Sequence, residues 1–329
     1  MPRILALIAA LCLFAAPLAA ECNGKNLFTQ MPAADLSALE SAAAKVPYPE
    51  GNFWRATRGD QVITLIGTYH FDDPRHDVTL QAIAPIIETA STVLVEAGPD
   101  EEKALMALMA RDPSLMMITD GPSLIQQMPA ALWEKLSKAL SLRGIPGFMA
   151  AKLQPWYVNV LLAVPPCAMA TMSDPKGLDG LVIDTATAAG VPIKALEPYD
   201  TVFKVFDIMT EADQFAMIES TLAMEDRSED FSATLADSYF AGQSRLMWEL
   251  MRKISYETPG FTRDQVDAEF AKMEDALMTS RNRAWIPVLE QAAAKGPVLA
   301  AFGALHLPGQ DGVLALLQAQ GFKIERLPL

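Results

Sequence analysis

The chain has 329 residues, 51% of them apolar and 20% charged. That is enough apolar material for a sizeable core and too little charge for a disordered chain. A net charge of −14 at pH 7 excludes a nucleic-acid binder, which needs a basic surface to neutralise phosphates, and argues against electrostatic docking on anionic lipid.

Residues 1–20 read as an export signal. Arg3 supplies a short basic start, residues 4–16 an apolar stretch, and Pro17-Leu18-Ala19-Ala20 a cleavage site ending in small residues. The stretch is short for a membrane span, so no integral span is expected after cleavage; the alternative is an uncleaved anchor. Lipidation at Cys22 is disfavoured by Glu21 before it. Cys22 and Cys167 then remain, and two cysteines in an exported chain either form one disulfide or stay as thiols. The sequence leaves both open.

An Ala-rich helix is expected over residues 33–45, ended by Pro47-Tyr48-Pro49. Residues 53–57 and 61–66 read as a hairpin around Arg58-Gly59-Asp60. The second strand delivers Gly67-Thr68-Tyr69-His70. Residues 78–89 have helical spacing with Pro85 inside, and residues 92–95 are a short β-branched strand ending at Glu96. This is strand, helix, strand, for which a right-handed βαβ unit is the expected geometry. From about residue 100 to 170 the chain is helical and Met-rich, punctuated by Pro and Gly. Those methionines read as core filler at helical spacing, or as a flexible apolar groove.

Gly177-Leu178-Asp179 opens a helix stopped by Gly190, and residues 191–196 form a strand ending at Glu197. Residues 200–295 are again helical, broken at Thr258-Pro259-Gly260. Residues 297–302 are the last long apolar strand, which carries Gly303-Ala304-Leu305-His306. A helix over residues 313–320 and a strand over 322–327 close the chain. The fold class is therefore α/β (α+β). A mixed sheet comes from the N- and C-terminal segments, with a large helical insertion in the middle. One domain is expected over residues 21–329, its core from about 50–100, 175–200 and 296–329 and its insertion from about 100–170 and 200–295.

Two of the chain's three histidines sit in the paired Gly-x-x-His units. His70, Glu96, Glu197 and His306 all fall just past the carboxyl end of an expected strand, where ligands collect in such sheets. Two imidazoles and a carboxylate are a common set of ligands for a divalent metal. A metal there would activate water for amide or ester hydrolysis, with Glu96 or Glu197 taking the proton. Each residue also has a plainer reading. His76 reads as a surface loop residue, Glu96 and Asp179 as helix-start acids, and Arg281-Asn282-Arg283 as a solvated helix face. Serine-hydrolase, zinc-helix, P-loop and dinucleotide fingerprints are absent.

The joint pattern resembles the TraB/GumN family, whose relatives include the Tiki proteins. It runs through Gly67-Thr68-Tyr69-His70, Val95-Glu96, Gly177-Leu178-Asp179, Leu196-Glu197, Arg281-Asn282 and Gly303-Ala304-Leu305-His306-Leu307-Pro308-Gly309-Gln310-Asp311-Gly312. The resemblance implies an α/β core with a helical insertion and, for the Tiki branch, a metal-dependent peptidase favouring manganese or cobalt; zinc is also compatible with the ligand types. His70 and His306 match the family's two histidines and Glu96 its glutamate, so His70 and His306 would bind the metal, with Glu96 as ligand or general base and Arg281 stabilising the oxyanion or orienting a carboxylate. Asp179, Glu197 and Asn282 would contact substrate or support the ligands. Distant similarity to erythromycin esterases and to a haem-binding lipoprotein group keeps a metal-free esterase and a non-catalytic metal- or haem-binding protein as alternatives. The substrate is expected to be a peptide or another small molecule, and the location periplasmic or secreted. Tyr69 departs from the small aliphatic residue common at its position, so where its ring packs matters.

Overall fold

The computed structural model of the chain describes residues 22–169, 177–207, 209–257 and 262–329. The expected export signal and the expected break at Thr258-Pro259-Gly260 lie outside the described residues.

Six strands form one sheet: β1 (Phe53–Arg58), β2 (Gln61–Thr68), β3 (Thr92–Val95), β4 (Ile193–Ala195), β5 (Val298–Gly303) and β6 (Lys323–Arg326). Their order is β4-β3-β5-β2-β1-β6. β4, β3, β5 and β2 run parallel to one another, and β1 runs antiparallel to both β2 and β6. The expected hairpin is present, with Arg58 facing Gln61 across the turn. The strand–helix–strand unit takes a different form from a simple adjacent pair, because β5 lies between β2 and β3. The last long strand of the chain thus fills the middle of the sheet. Its residues from Val298 to Phe302 are all buried, which is why they read as an unbroken apolar run and not as an alternation.

The helices in chain order are α1 (Ala33–Ala43), α2 (His76–Thr89), α3 (Pro99–Arg111), α4 (Leu124–Gln127), α5 (Ala130–Leu142), α6 (Gly147–Ala150) and α7 (Pro155–Leu162). They continue with α8 (Leu178–Ala188), α9 (Thr201–Asp207), α10 (Glu211–Ala223), α11 (Ser228–Phe240) and α12 (Ser244–Glu257). The last three are α13 (Arg263–Glu274), α14 (Ser280–Ala293) and α15 (Val313–Ala319).

The sheet is covered on both faces. Ile63, Leu65, Ala300 and Phe302 pack with Trp285 and Leu289 of α14 and Leu314 and Leu317 of α15. Alternate residues Ile66, Leu299 and Ala301 point the other way, onto Ile83 and Ile87 of α2, Val182 of α8 and Tyr239 of α11. Each such fully buried side chain contributes about 1.5–3 kcal/mol, so this double layer is the main source of cohesion. The rest of the chain builds satellites. Leu124, Leu136, Leu140, Val158, Leu162, Ile218 and Leu222 form the core of the insertion, and two smaller clusters surround α12. Met128 is buried in the insertion and Met106 is 60% exposed, so the methionines do not act as one group.

Cys22 and Cys167 are joined by a disulfide, which fastens the start of the described chain to the insertion just past α7. Among the described residues no helix is long and apolar enough to cross a membrane.

Candidate functional site

The four parallel strands end on the same edge of the sheet, and in spatial order they carry Glu197, Glu96, Gly303-Ala304-Leu305-His306 and His70. The register aligns Val95 with Ala195 and with Ala301, and Thr68 with Gly303. Neighbouring strands lie only about 4.8 Å apart, so four residues far apart in sequence are brought into one cleft. Gly303 stands at its centre. A side-chain carbon placed on it would lie 3.3 Å from Glu96 Oε1, 3.6 Å from His306 Cδ2 and 3.7 Å from His70 Nε2. Three candidate ligands therefore face one small space that any larger residue at 303 would occupy.

Each histidine is held from behind. His70 Nδ1 donates to Asp179 Oδ2 at 2.8 Å, and the Thr68 hydroxyl donates to the other oxygen of Asp179 at 2.5 Å. Asp179 can reach both because α8 begins under the loop. Leu178 N–H donates to the Tyr69 carbonyl, and Gly177 sits so close that a side-chain carbon there would fall 2.7 Å from His70 Cα. For His306, the amide nitrogen of Asn282 donates to the Asp311 carbonyl at 2.8 Å. The Asn282 oxygen is thereby turned to accept from His306 Nδ1 at 2.6 Å. That hydrogen-bond logic assigns the His306 proton to Nδ1 and leaves its Nε2 as an acceptor. Both imidazoles thus have Nδ1 engaged and Nε2 on the cleft side, the arrangement in which outer partners fix metal-binding histidines.

Arg281 fills the remaining polar space. It donates to Glu197 through Nε at 2.8 Å and through a terminal nitrogen at 2.7 Å. It also donates to Glu96 Oε2 at 2.5 Å, to the Leu277 carbonyl at 2.9 Å and to His306 Nε2 at 3.3 Å. The short π-helical segment Asp275–Thr279 immediately precedes α14, and the Leu277 carbonyl it presents anchors this guanidinium. Such wide turns often occur at functional positions. Glu96 Oε1 accepts the Gly303 N–H at 2.6 Å, and the Trp285 indole donates to Glu197 at 3.1 Å.

The electrostatics follow from this packing. Burial opposes the Glu96 charge, but His306, Arg281, His70 and the Gly303 N–H outweigh it and hold its pKa down to about 2. Burial lowers His306 to about 4, with Arg281 and His70 reinforcing it against the pull of Glu96. His306 is neutral at pH 7, so the guanidinium is the main partner of the Glu96 charge. The Asp179 carboxylate pushes His70 up to about 9 against the opposing effect of burial. His70's side chain is 65% exposed, so water screens that pair. Glu96, Glu197 and Asp179 outnumber the single guanidinium, leaving two negative charges, of which a protonated His70 offsets one and a divalent cation both. No three His, Cys, Asp or Glu side chains among the described residues are already drawn into a cation cage. The donor types and their orientation nevertheless fit a divalent metal, which His70, His306 and Glu96 would hold in place of the Arg281 contact to His306 Nε2.

The plainer readings sort themselves physically. Helix α3 is capped by Glu101, which accepts the Gly98 N–H at 3.1 Å, and this leaves Glu96 free for the cleft. His76 is not a surface loop residue. It is 1% exposed, its Nε2 donates to the Phe71 carbonyl at 3.0 Å, and its ring lies 5.2 Å from that of Phe240. Arg281 and Asn282 turn inward, and only Arg283 stays on the solvated face, paired with Asp311. Tyr69 packs sideways, its ring stacked 5.4 Å from Tyr239. Thr68, Trp285 and the Leu277 carbonyl were not singled out from the sequence. Trp285 lies one helical turn after Arg281, and that spacing was the available signal.

A mixed sheet covered on both faces, with acid, imidazole and guanidinium groups at the carboxyl edge of its four parallel strands, defines an α/β protein with a polar strand-end cleft. The model of the TraB/PrgY/gumN family matches residues 52–326. The chain belongs to that family, and the match spans the whole sheet and every residue of the cleft. No curated protein matches the chain.

Proposed function

We propose that the protein is an exported, metal-dependent hydrolase of peptidase type working in the strand-end cleft. The observation that carries this reading is the pair of histidines, each tied at Nδ1 and each offering Nε2 to the space in front of Gly303 beside Glu96. A divalent metal bound there would supply a Lewis acid that activates water and polarises a carbonyl. His70, His306 and Glu96 would hold it, manganese or cobalt by family resemblance. Glu96 is ionised and would be the carboxylate that holds the metal or takes the proton of the attacking water. Arg281 is permanently charged and steadies the oxyanion that develops. Asn282 keeps His306 in the tautomer that presents its Nε2 lone pair, and Asp179 would do the same for His70 once metal displaces the proton from its Nε2. Export is supported by the Cys22–Cys167 disulfide, since such bonds persist in oxidising compartments.

One observation favours a second reading. The Asp179–His70 pair is already formed, and such a dyad can act as a metal-free acid–base in an esterase. Elemental analysis of the tag-free protein separates the two. Near-stoichiometric metal in the parent, lost in His70→Ala/His306→Ala, is the expected result. A parent that takes up no metal after loading, while His70→Ala alone abolishes ester hydrolysis, would replace the first reading with the second. A visible absorbance band on the purified protein would instead favour a haem carrier.

A further inference from the structure

The two helices that leave the acidic strand ends do not close over the cleft. α3 starts three residues after Glu96, and α9 starts four residues after Glu197. α3 has no fully buried residue along its length. Its apolar stripe of Ala104, Leu105, Leu108 and Met109 is only half-covered, although the spacing is that of a helix face made for burial. Across from it, Phe203 and Phe206 of α9 lie 5.5 and 5.4 Å, ring to ring, from Trp156 of α7. Between them is a cavity of about 570 Å³ lined by Leu108, Leu115, Trp156, Phe203 and Phe206. The Trp156 indole N–H is spent on the Leu115 carbonyl at 2.8 Å, so the tryptophan offers the cavity ring surface only.

We propose that this groove, walled by α3, α7 and α9, binds a large apolar or aromatic side chain of a peptide whose backbone continues into the strand-end cleft. The proposal rests on the hydrolase reading for its choice of substrate. Its independent support is continuity, since both walls grow directly from the strand ends that carry Glu96 and Glu197. Leu108 is no more than about 14 Å along the α3 axis from the first helical residue. An extended chain advances about 3.3 Å per residue, so the anchored side chain lies about four or more residues from the bond in the cleft. The rim chooses the occupant. Asp200, Asp207 and Glu211 border the cavity against one cation, Lys204, which Asp200 already pairs at 2.9 Å, so the net negative rim repels the carboxylate of a free fatty acid, whereas a neutral or basic peptide meets no such penalty.

Two acetylated, amidated nonapeptides of Ala, Gly and Lys, identical except for one Phe or Ser, test the idea by fluorescence anisotropy with a label at the far end. The Phe peptide is expected to bind the parent about tenfold more tightly, as burial of one such side chain allows. The preference should vanish in Leu108→Asp and in Phe203→Ser, two changes at half-exposed positions, while thermal unfolding of at least one variant stays at the parental temperature. Equal binding of both peptides to the parent overturns the proposal. So does an undiminished Phe preference in both variants. Dodecanoate that binds more tightly than the Phe peptide and displaces it would assign the groove to an acyl chain instead. Turnover is measured separately on the same pair. Hydrolysis of both peptides with no difference in binding removes the groove and leaves the hydrolase. Discriminated binding without hydrolysis keeps the groove and removes the hydrolase.

Discussion

The helical insertion and the strand-end cleft each bury an arginine, and each uses all five of its N–H donors. Arg143 donates to the carbonyls of Val164, Ala139 and Leu162 and to both oxygens of Glu225. Its side chain is completely enclosed. Arg281 donates to Glu197 twice, to Glu96, to one carbonyl and to an imidazole. The first set is neutral overall, with one cation, one carboxylate and three dipoles. The second has an extra carboxylate, with Asp179 beyond it, and keeps a path to water. A guanidinium whose partners balance it serves to brace helices. One whose partners leave negative charge over marks a place where another positive group is expected.

That contrast can be broken in several ways. The largest effect is expected at Arg143→Met, which strands the Glu225 charge among helices and should cost about 3–5 kcal/mol by chemical denaturation. Added manganese should recover none of it. Removing the disulfide with Cys22→Ser/Cys167→Ser releases a link across 145 residues and should cost about 2–5 kcal/mol. Because the bond fastens the insertion, metal content should be unchanged. Arg281→Met leaves two carboxylates facing each other in a wetter place, so about 1–3 kcal/mol is expected. Here millimolar manganese should restore part of the loss, and the same titration on Arg143→Met is the control. If metal rescues both variants or neither, the charge-balance argument is wrong.

The smallest effect is a slope with pH. His70 in the metal-free protein has its pKa raised to about 9, above the value near 6.5 expected of an unfolded chain. The pair with Asp179 therefore adds stability that is fully present below about pH 6.5 and is lost as pH rises through about 9. Asp179→Asn should flatten melting temperature against pH across that window. The proton on His70 also competes with metal, so metal uptake should strengthen with rising pH and release a proton. Uptake that is flat between pH 6 and 9 would remove His70 from the ligands.

Much of this was readable in the sequence. Glu96, Glu197, His70 and His306 stand at strand ends, and a run such as Val298-Leu299-Ala300-Ala301-Phe302 shows its burial by composition alone. The order of strands was not readable, because nothing in β5 says which two edges it will pair with. The supporting contacts were hidden for another reason. Thr68 looks like any β-branched strand residue, and His76 follows a polar stretch that hides its aromatic surroundings of Tyr69, Tyr239 and Phe240. Side chains that act through their neighbours carry no signature of their own in one sequence.

The central placement of β5 has a consequence for how the chain is made. On a chain emerging from the ribosome, β2 and β3 are complete long before residue 298 exists, yet each is waiting for the same missing neighbour. Until then both expose open pairing edges, which invite sticking to other chains and call for a chaperone to hold them. β5, the fifth of the six described strands to be synthesised, then joins the two halves of the sheet and delivers Gly303 and His306 between Glu96 and His70. The cleft is therefore assembled only after residue 306 has been made, and a shorter nascent chain carries its acids and its first histidine without the strand that brings them together.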